Sequence, residues 1–122
     1  MVENDDRLYS LQDCLLLHEE TGIPVLFDNF HHECLNQGES MSEALQLAAR
    51  TWKPADGVMM MDYSSQAPGQ RKGKHTQSIE LQGFREFLGH LQGLDVDIML
   101  EIKDKQASAL LAVRLLKELG FI

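Results

Sequence analysis

Cysteine is scarce. Cys14 and Cys34 are the whole supply, too few for a disulfide framework or a zinc knuckle. Both are expected to be reduced thiols in a cytoplasmic protein. Long apolar runs are missing too. Nothing approaches the roughly 18 residues that a membrane span needs, and no signal-peptide pattern opens the chain, so no membrane partner is expected. Positive charge is in short supply: 11 Lys and Arg against 19 Asp and Glu leave a net charge of -8. That balance argues against a protein held on nucleic acid by bulk charge. It leaves room for an enzyme acting on nucleic acid, because metal-holding carboxylates inflate the negative count and bound cations reverse the local field. Low-complexity segments, internal sequence repeats and an interdomain linker are absent. What is there, 122 residues with 43% hydrophobic and 25% charged, has the size and balance of one globular domain.

The chain reads as alternating short strands and helices. Val2-Glu3 looks like the end of a strand. Ser10 with Asp13 makes a capping box for a helix whose apolar face is Leu11, Leu15 and Leu16, ended by Gly22. Pro24 to Phe27 reads as a buried strand, leading into the loop Asp28-Asn29-Phe30-His31-His32. Ser40 with Glu43 starts a second helix, with Ala44, Leu45, Leu47, Ala48 and Trp52 on one face and a stop at Pro54. Gly57 to Met61 is the third strand, ending at Asp62. The loop from Tyr63 to Gln77 is long for so compact a chain, which suggests function. Ser78 is expected to cap a helix carrying Phe84, Phe87, Leu88 and Leu91. Val96 to Leu100 is the fourth strand, and it ends at Glu101. Asp104 is expected to cap the last helix, where Ala107, Leu110, Leu111, Val113, Leu115 and Leu119 repeat before Gly120. Four strand-helix units imply an α/β fold with a parallel sheet, half of a (β/α)8 TIM barrel.

In such a sheet all strand C-termini share one edge. Glu3, Asp28 with His31, Asp62 and Glu101 fall at those ends, and His75 lies in the loop after the third. That much buried charge costs roughly several kcal/mol per group if left unpaired. A divalent cation is the natural compensation, and mixed N/O ligands suit Mn, Zn or Fe. Bland readings stand beside this one. Glu3 and Asp62 equally suit helix-entry acids, and Asp28 to His32 equally suits a polar capping loop. Asp5 and Asp6 are expected to be solvated, His32 to support rather than ligate, His18 and His90 to lie on the surface, and Met59, Met60 and Met61 to be core strand. Arg71, Lys72 and Lys74 form a basic cluster, either a solvated loop tip or a phosphate contact. Lys103 and Lys105 flank the last strand's exit.

Taken together, Glu3-Asn4-Asp5-Asp6, Asp28-Asn29-Phe30-His31-His32, Tyr63-Ser64-Ser65-Gln66, Lys74-His75-Thr76 and Asp97 through Lys105 resemble the UV-damage endonuclease family of DNA-repair enzymes. The resemblance runs over essentially the whole chain, in order, and matches the C-terminal half of the family barrel. It implies an eight-unit barrel with a divalent metal cluster, typically manganese, with zinc or magnesium as alternatives. The implied reaction is hydrolysis of a phosphodiester of damaged double-stranded DNA, 5′ to a photolesion. Glu3, Asp28, His31, His75 and Glu101 match the family's ligand positions. Where the family has Lys-x-His, this chain has Met60 and Asp62. Asp62 can ligate; Met60 cannot replace a lysine. Arg71, Lys74 and Lys103 are the implied DNA contacts. Residues 1–122 are thus expected to be the C-terminal half of a barrel domain truncated at its N-terminus. It would be weak or inactive alone and would be completed by a missing N-terminal half or by self-association into a dimer, because a half barrel leaves open sheet edges. A xylose isomerase-like enzyme acting on a small sugar and an inactive remnant are the alternatives.

Overall fold

The structure, a computed structural model, describes residues 1–72 and 74–121. Four strands, β1 (Val2–Glu3), β2 (Val25–Asp28), β3 (Met59–Tyr63) and β4 (Val96–Leu100), form one sheet in sequence order. Every pairing is parallel. The helices between and after them are α1 (Leu11–Thr21), α2 (Asn29–Cys34), α3 (Met41–Ala49), α4 (Leu81–Gly89) and α5 (Gln106–Glu118), with a 3-10 turn at Pro54–Asp56. This is the α/β alternation expected of half a barrel.

Period-two alternation decides which side chains meet the helices. Val25 and Phe27 of β2, and Met59, Met61 and Tyr63 of β3, are buried against helix residues Leu11, Leu45, Phe84 and Phe87. Phe27 is fully buried, so its truncation to alanine is expected to cost about 3–5 kcal/mol. Alternation places Asp28, Met60, Asp62 and Met99 on the opposite face.

Several boundaries differ from the sequence reading. The second strand runs one residue further than Phe27, so Asp28 closes β2 and caps α2, its carboxylate accepting from His31 N–H at 2.9 Å. Residues 29–34 are helical rather than loop. The third strand starts at Met59, not Gly57, and continues to Tyr63, which puts Asp62 inside it. Glu80, not Ser78, caps α4, accepting from Gln82 and Gly83 N–H at 3.1 and 2.6 Å. Ser78 is occupied elsewhere, its hydroxyl donating to Asp104 at 2.7 Å. Lys105 rather than Asp104 takes the cap position of α5, although Asp104 still accepts from Ser108 N–H at 3.3 Å. Trp52 lies beyond α3, its indole donating to the Val25 carbonyl at 2.8 Å.

Two expected apolar faces are only partly covered. Leu16 of α1 is 60% exposed, and Cys14 fills the buried position instead. On α5, Ser108, Ala112 and Leu115 are buried, while Leu110 is 63% exposed and Leu111, Val113 and Leu119 are also open. β4 has one neighbour, β3, and β1 has one, β2. Among the described residues the sheet therefore has two free edges, and the groove beside β4 and α5 has an apolar floor.

Candidate metal centre

Four strands bring the acids together, and the short helix α2 adds His31. Asp28 and Asp62 are direct partners across β2 and β3. Glu3 ends β1, and Glu101 follows β4, its N–H donating to the Tyr63 carbonyl at 2.9 Å. Donor atoms of Glu3, Asp28 and His31 lie within 4.8 Å of one another, and so do those of Asp28, Asp62 and Glu101. Asp28 belongs to both groups. It is fully buried, and its Oδ2 accepts no hydrogen bond, although His31 Nδ1 stands 3.4 Å away. Such an orphaned carboxylate oxygen is costly unless a cation meets it. The donor set, four carboxylates and an imidazole, fits a borderline or hard divalent ion.

The electrostatics follow from that crowding. Burial pushes the Asp62 carboxyl up to about 6, with Glu3 adding to the rise. Burial also raises Asp28, and the Asp62 charge adds to it. Burial and then the Asp62 charge raise Glu101. On His31, burial lowers the pKa but is outweighed by the charges of Asp28 and Glu3 and by the Asn4 carbonyl, so the net shift is upward.

Two imidazoles are oriented by backbone. His31 Nδ1 lies 2.8 Å from the Asn4 carbonyl, and His75 Nδ1 lies 3.1 Å from the Glu101 carbonyl. A carbonyl can only accept, so each ring carries its proton on Nδ1 and, when neutral, keeps a lone pair on Nε2. His75 comes to the same edge, with its ring centroid 6.2 Å from that of His31 and 5.3 Å from Phe30. Its nitrogens are not among the donors that converge within 4.8 Å. His32 is buried against Phe27, with Nε2 donating to the Glu39 carbonyl at 3.0 Å. Asp5 caps the turn after β1 through Arg7, Leu8 and Tyr9 N–H groups. His18 and His90 point away to Ile23 and Ser42.

The basic residues sit beside this centre. Arg71, Lys74 and Lys103 line a cavity of about 920 Å³ together with His75 and Glu101. Residues 64–72 and 74–80 are mostly irregular, but Gln66 and His75 pair as an antiparallel bridge. Met60 is half-buried on the strand that carries Asp62. Sequence reasoning passed over Asn4 and Asn29, which bond across the strand ends. The available signal was an asparagine directly after each of the first two strand-end acids.

Comparisons with known proteins identify relatives of this chain. The UV DNA damage endonuclease of Clostridium perfringens is 40% identical over 122 residues, covering 98% of this chain. That of Halalkalibacterium halodurans is 33% identical over 123 residues, again covering 98%. The chain spans 30% and 37% of those two relatives' lengths. The crystal structure of SacUVDE superposes with a TM-score of 0.93 at 51% identity, over all of this chain and 40% of that one. No described helix is long and apolar enough to cross a membrane. The sequence model of the family "UV-endonuclease UvdE" matches residues 1–122. The chain therefore belongs to the UV-endonuclease UvdE family.

Proposed function

We propose that residues 1–122 are the C-terminal, metal-holding half of a barrel endonuclease that cuts damaged duplex DNA 5′ to a photolesion. The observation that carries this reading is the buried Asp28 Oδ2, which accepts no hydrogen bond, at the meeting point of two donor groups, in a chain of this family. Glu3, Asp28, His31, Asp62 and Glu101 would hold divalent cations, manganese first among them, with His75 completing the set from the adjoining loop. Such a cation acts as a Lewis acid on phosphate oxygen and on water.

The protein's own part is placement and charge balance. Asp28 and Asp62 give up their protons to become ligands. Nδ1 of His75 is bonded to the Glu101 carbonyl. Nδ1 of His31, bonded to the Asn4 carbonyl, lies 3.4 Å from Asp28 Oδ2 and 3.7 Å from Glu3 Oε2, so the backbone contact holds the His31 ring against the carboxylates that would bind the ion. Arg71, Lys74 and Lys103 offset phosphate charge along the cavity they share with His75 and Glu101. The apolar part of the same cavity, floored by Phe84, Ile98, Leu100 and Ala112 beside β4, would be covered by the strand-helix units that complete a barrel, from an N-terminal half or a second copy, with its basic residues left at the rim. The relatives' greater length supports that completion. These residues alone are then weakly active or inactive, and a cytoplasmic location is part of the same reading.

The test is nicking of ultraviolet-irradiated against unirradiated duplex DNA by the full natural chain with manganese. Irradiation-dependent nicking that stops with a chelator is expected. A folded, manganese-loaded full chain that leaves irradiated DNA intact overturns the reading.

A further inference from the structure

Glu3 and Asp28, the first two strand-end acids, are each followed at once by asparagine. Both amides are buried, Asn4 fully and Asn29 nearly so. Each makes the same pair of bonds to the neighbouring strand. Asn4 Oδ1 accepts from Asp28 N–H at 2.8 Å, and its Nδ2 donates to the Asp28 carbonyl at 3.1 Å. Asn29 Oδ1 accepts from Ser64 N–H at 3.1 Å, and its Nδ2 donates to the Ser64 carbonyl at 3.1 Å.

The offset is the same in both. Glu3 pairs with Leu26, and Asn4 reaches Asp28, two residues further on. Asp28 pairs with Asp62, and Asn29 reaches Ser64, again two residues further on. A side-chain amide thus takes the place of a backbone peptide group just beyond the acid, where side chains are aimed at the candidate centre. Packing alone would be served by an apolar residue of the same volume, and burying an amide is costly unless both its arms are bonded. Asn4 does more: its own carbonyl accepts the His31 Nδ1 proton at 2.8 Å.

We propose that Asn4 and Asn29 are positioning residues, amide clasps that hold Glu3, Asp28 and His31 in one donor group, and Asp28 and Asp62 in the other, at the spacing a cation can bridge. The proposal rests on the metal reading given above. Asn4 governs the first donor group through the Asp28 backbone and the His31 ring. Asn29 ties the end of β2 to the end of β3, and so governs the distance from Asp28 to Asp62.

Manganese titration of the full natural chain by calorimetry, paired with urea unfolding of its metal-free form, tests it. Asn4→Ala and Asn29→Ala are each expected to lower manganese affinity by roughly 10–100-fold, as loss of an orienting partner does at other metal sites. Trp52→Phe removes the bond to Val25 at the opposite end of β2. It is expected to lower stability and leave manganese affinity unchanged. Folded asparagine variants that bind manganese like the unaltered chain overturn the proposal. So does a Trp52→Phe loss of affinity as large as theirs, because general loosening would then explain the effect. Failure of both asparagine variants to fold also overturns it, since the amides would then hold the chain rather than the site. An unaltered chain that takes up no manganese defeats the metal reading itself and the proposal with it.

Discussion

Asp28 and Asp62 face each other directly across two parallel strands, and both are buried. Two carboxyls so placed cannot both ionise cheaply without a cation. Asp62, raised to about 6, is the one for which the consequence is numerical.

The pH dependence of the metal-free chain follows. Asp62 binds its proton more tightly folded than unfolded. Its contribution to stability is therefore present below about pH 4 and lost as pH rises through about 6. Asp62→Asn is expected to flatten this slope and to stabilise the metal-free chain at pH 7.5 by about 1–3 kcal/mol. Urea unfolding at a series of pH values reads both effects. A slope that survives the substitution assigns the proton to another group.

Manganese uptake is expected to run the other way with pH. Ligand carboxylates must be ionised, so affinity rises as pH passes about 6. Asp62→Asn is expected to weaken binding despite its stabilising effect, and calorimetry at pH 5.5 and pH 7.5 separates the two. Binding that is independent of pH over this range contradicts a centre built on Asp28 and Asp62.

The cap of α4 gives a prediction away from the centre. Glu80 accepts from two N–H groups, so Glu80→Ala is expected to cost about 0.5–2 kcal/mol in urea unfolding. Manganese affinity is expected to stay unchanged. Ser78→Ala is expected to cost less, because its hydroxyl bonds an exposed site at Asp104. Equal losses for the two variants would return the cap to Ser78.

Arg71, Lys74 and Lys103 carry the DNA prediction. Alanine at each is expected to weaken duplex binding by the full natural chain with little regard to sequence. Each is also expected to reduce the slope of log affinity against log salt by about 1. Fluorescence anisotropy across a salt series measures both. Unchanged slopes would make these cations solvated rim residues.

The sequence by itself determined the strand-helix alternation, because apolar runs, capping boxes and helical stops are local signals. It also carried the family, because Asp28 to His32 and Asp97 to Lys105 are contiguous motifs that need no tertiary contact to be read. Boundaries were legible only to within a residue or two. Glu80 displaced Ser78 as a cap because Ser78 is taken by Asp104, 26 residues away, a partner that no local pattern reveals. Which donors meet was decided by the tertiary structure alone. Side chains alternate across a strand, so a register shift of one residue would turn Asp62 away from Asp28 and into the helix layer. The Asp28–Asp62 pairing, the Nδ1 bonds of His31 and His75, and the two asparagine clasps all depend on that register. Sequence could set the acids at the strand ends; only the packed sheet could bring them together in two donor groups that share Asp28.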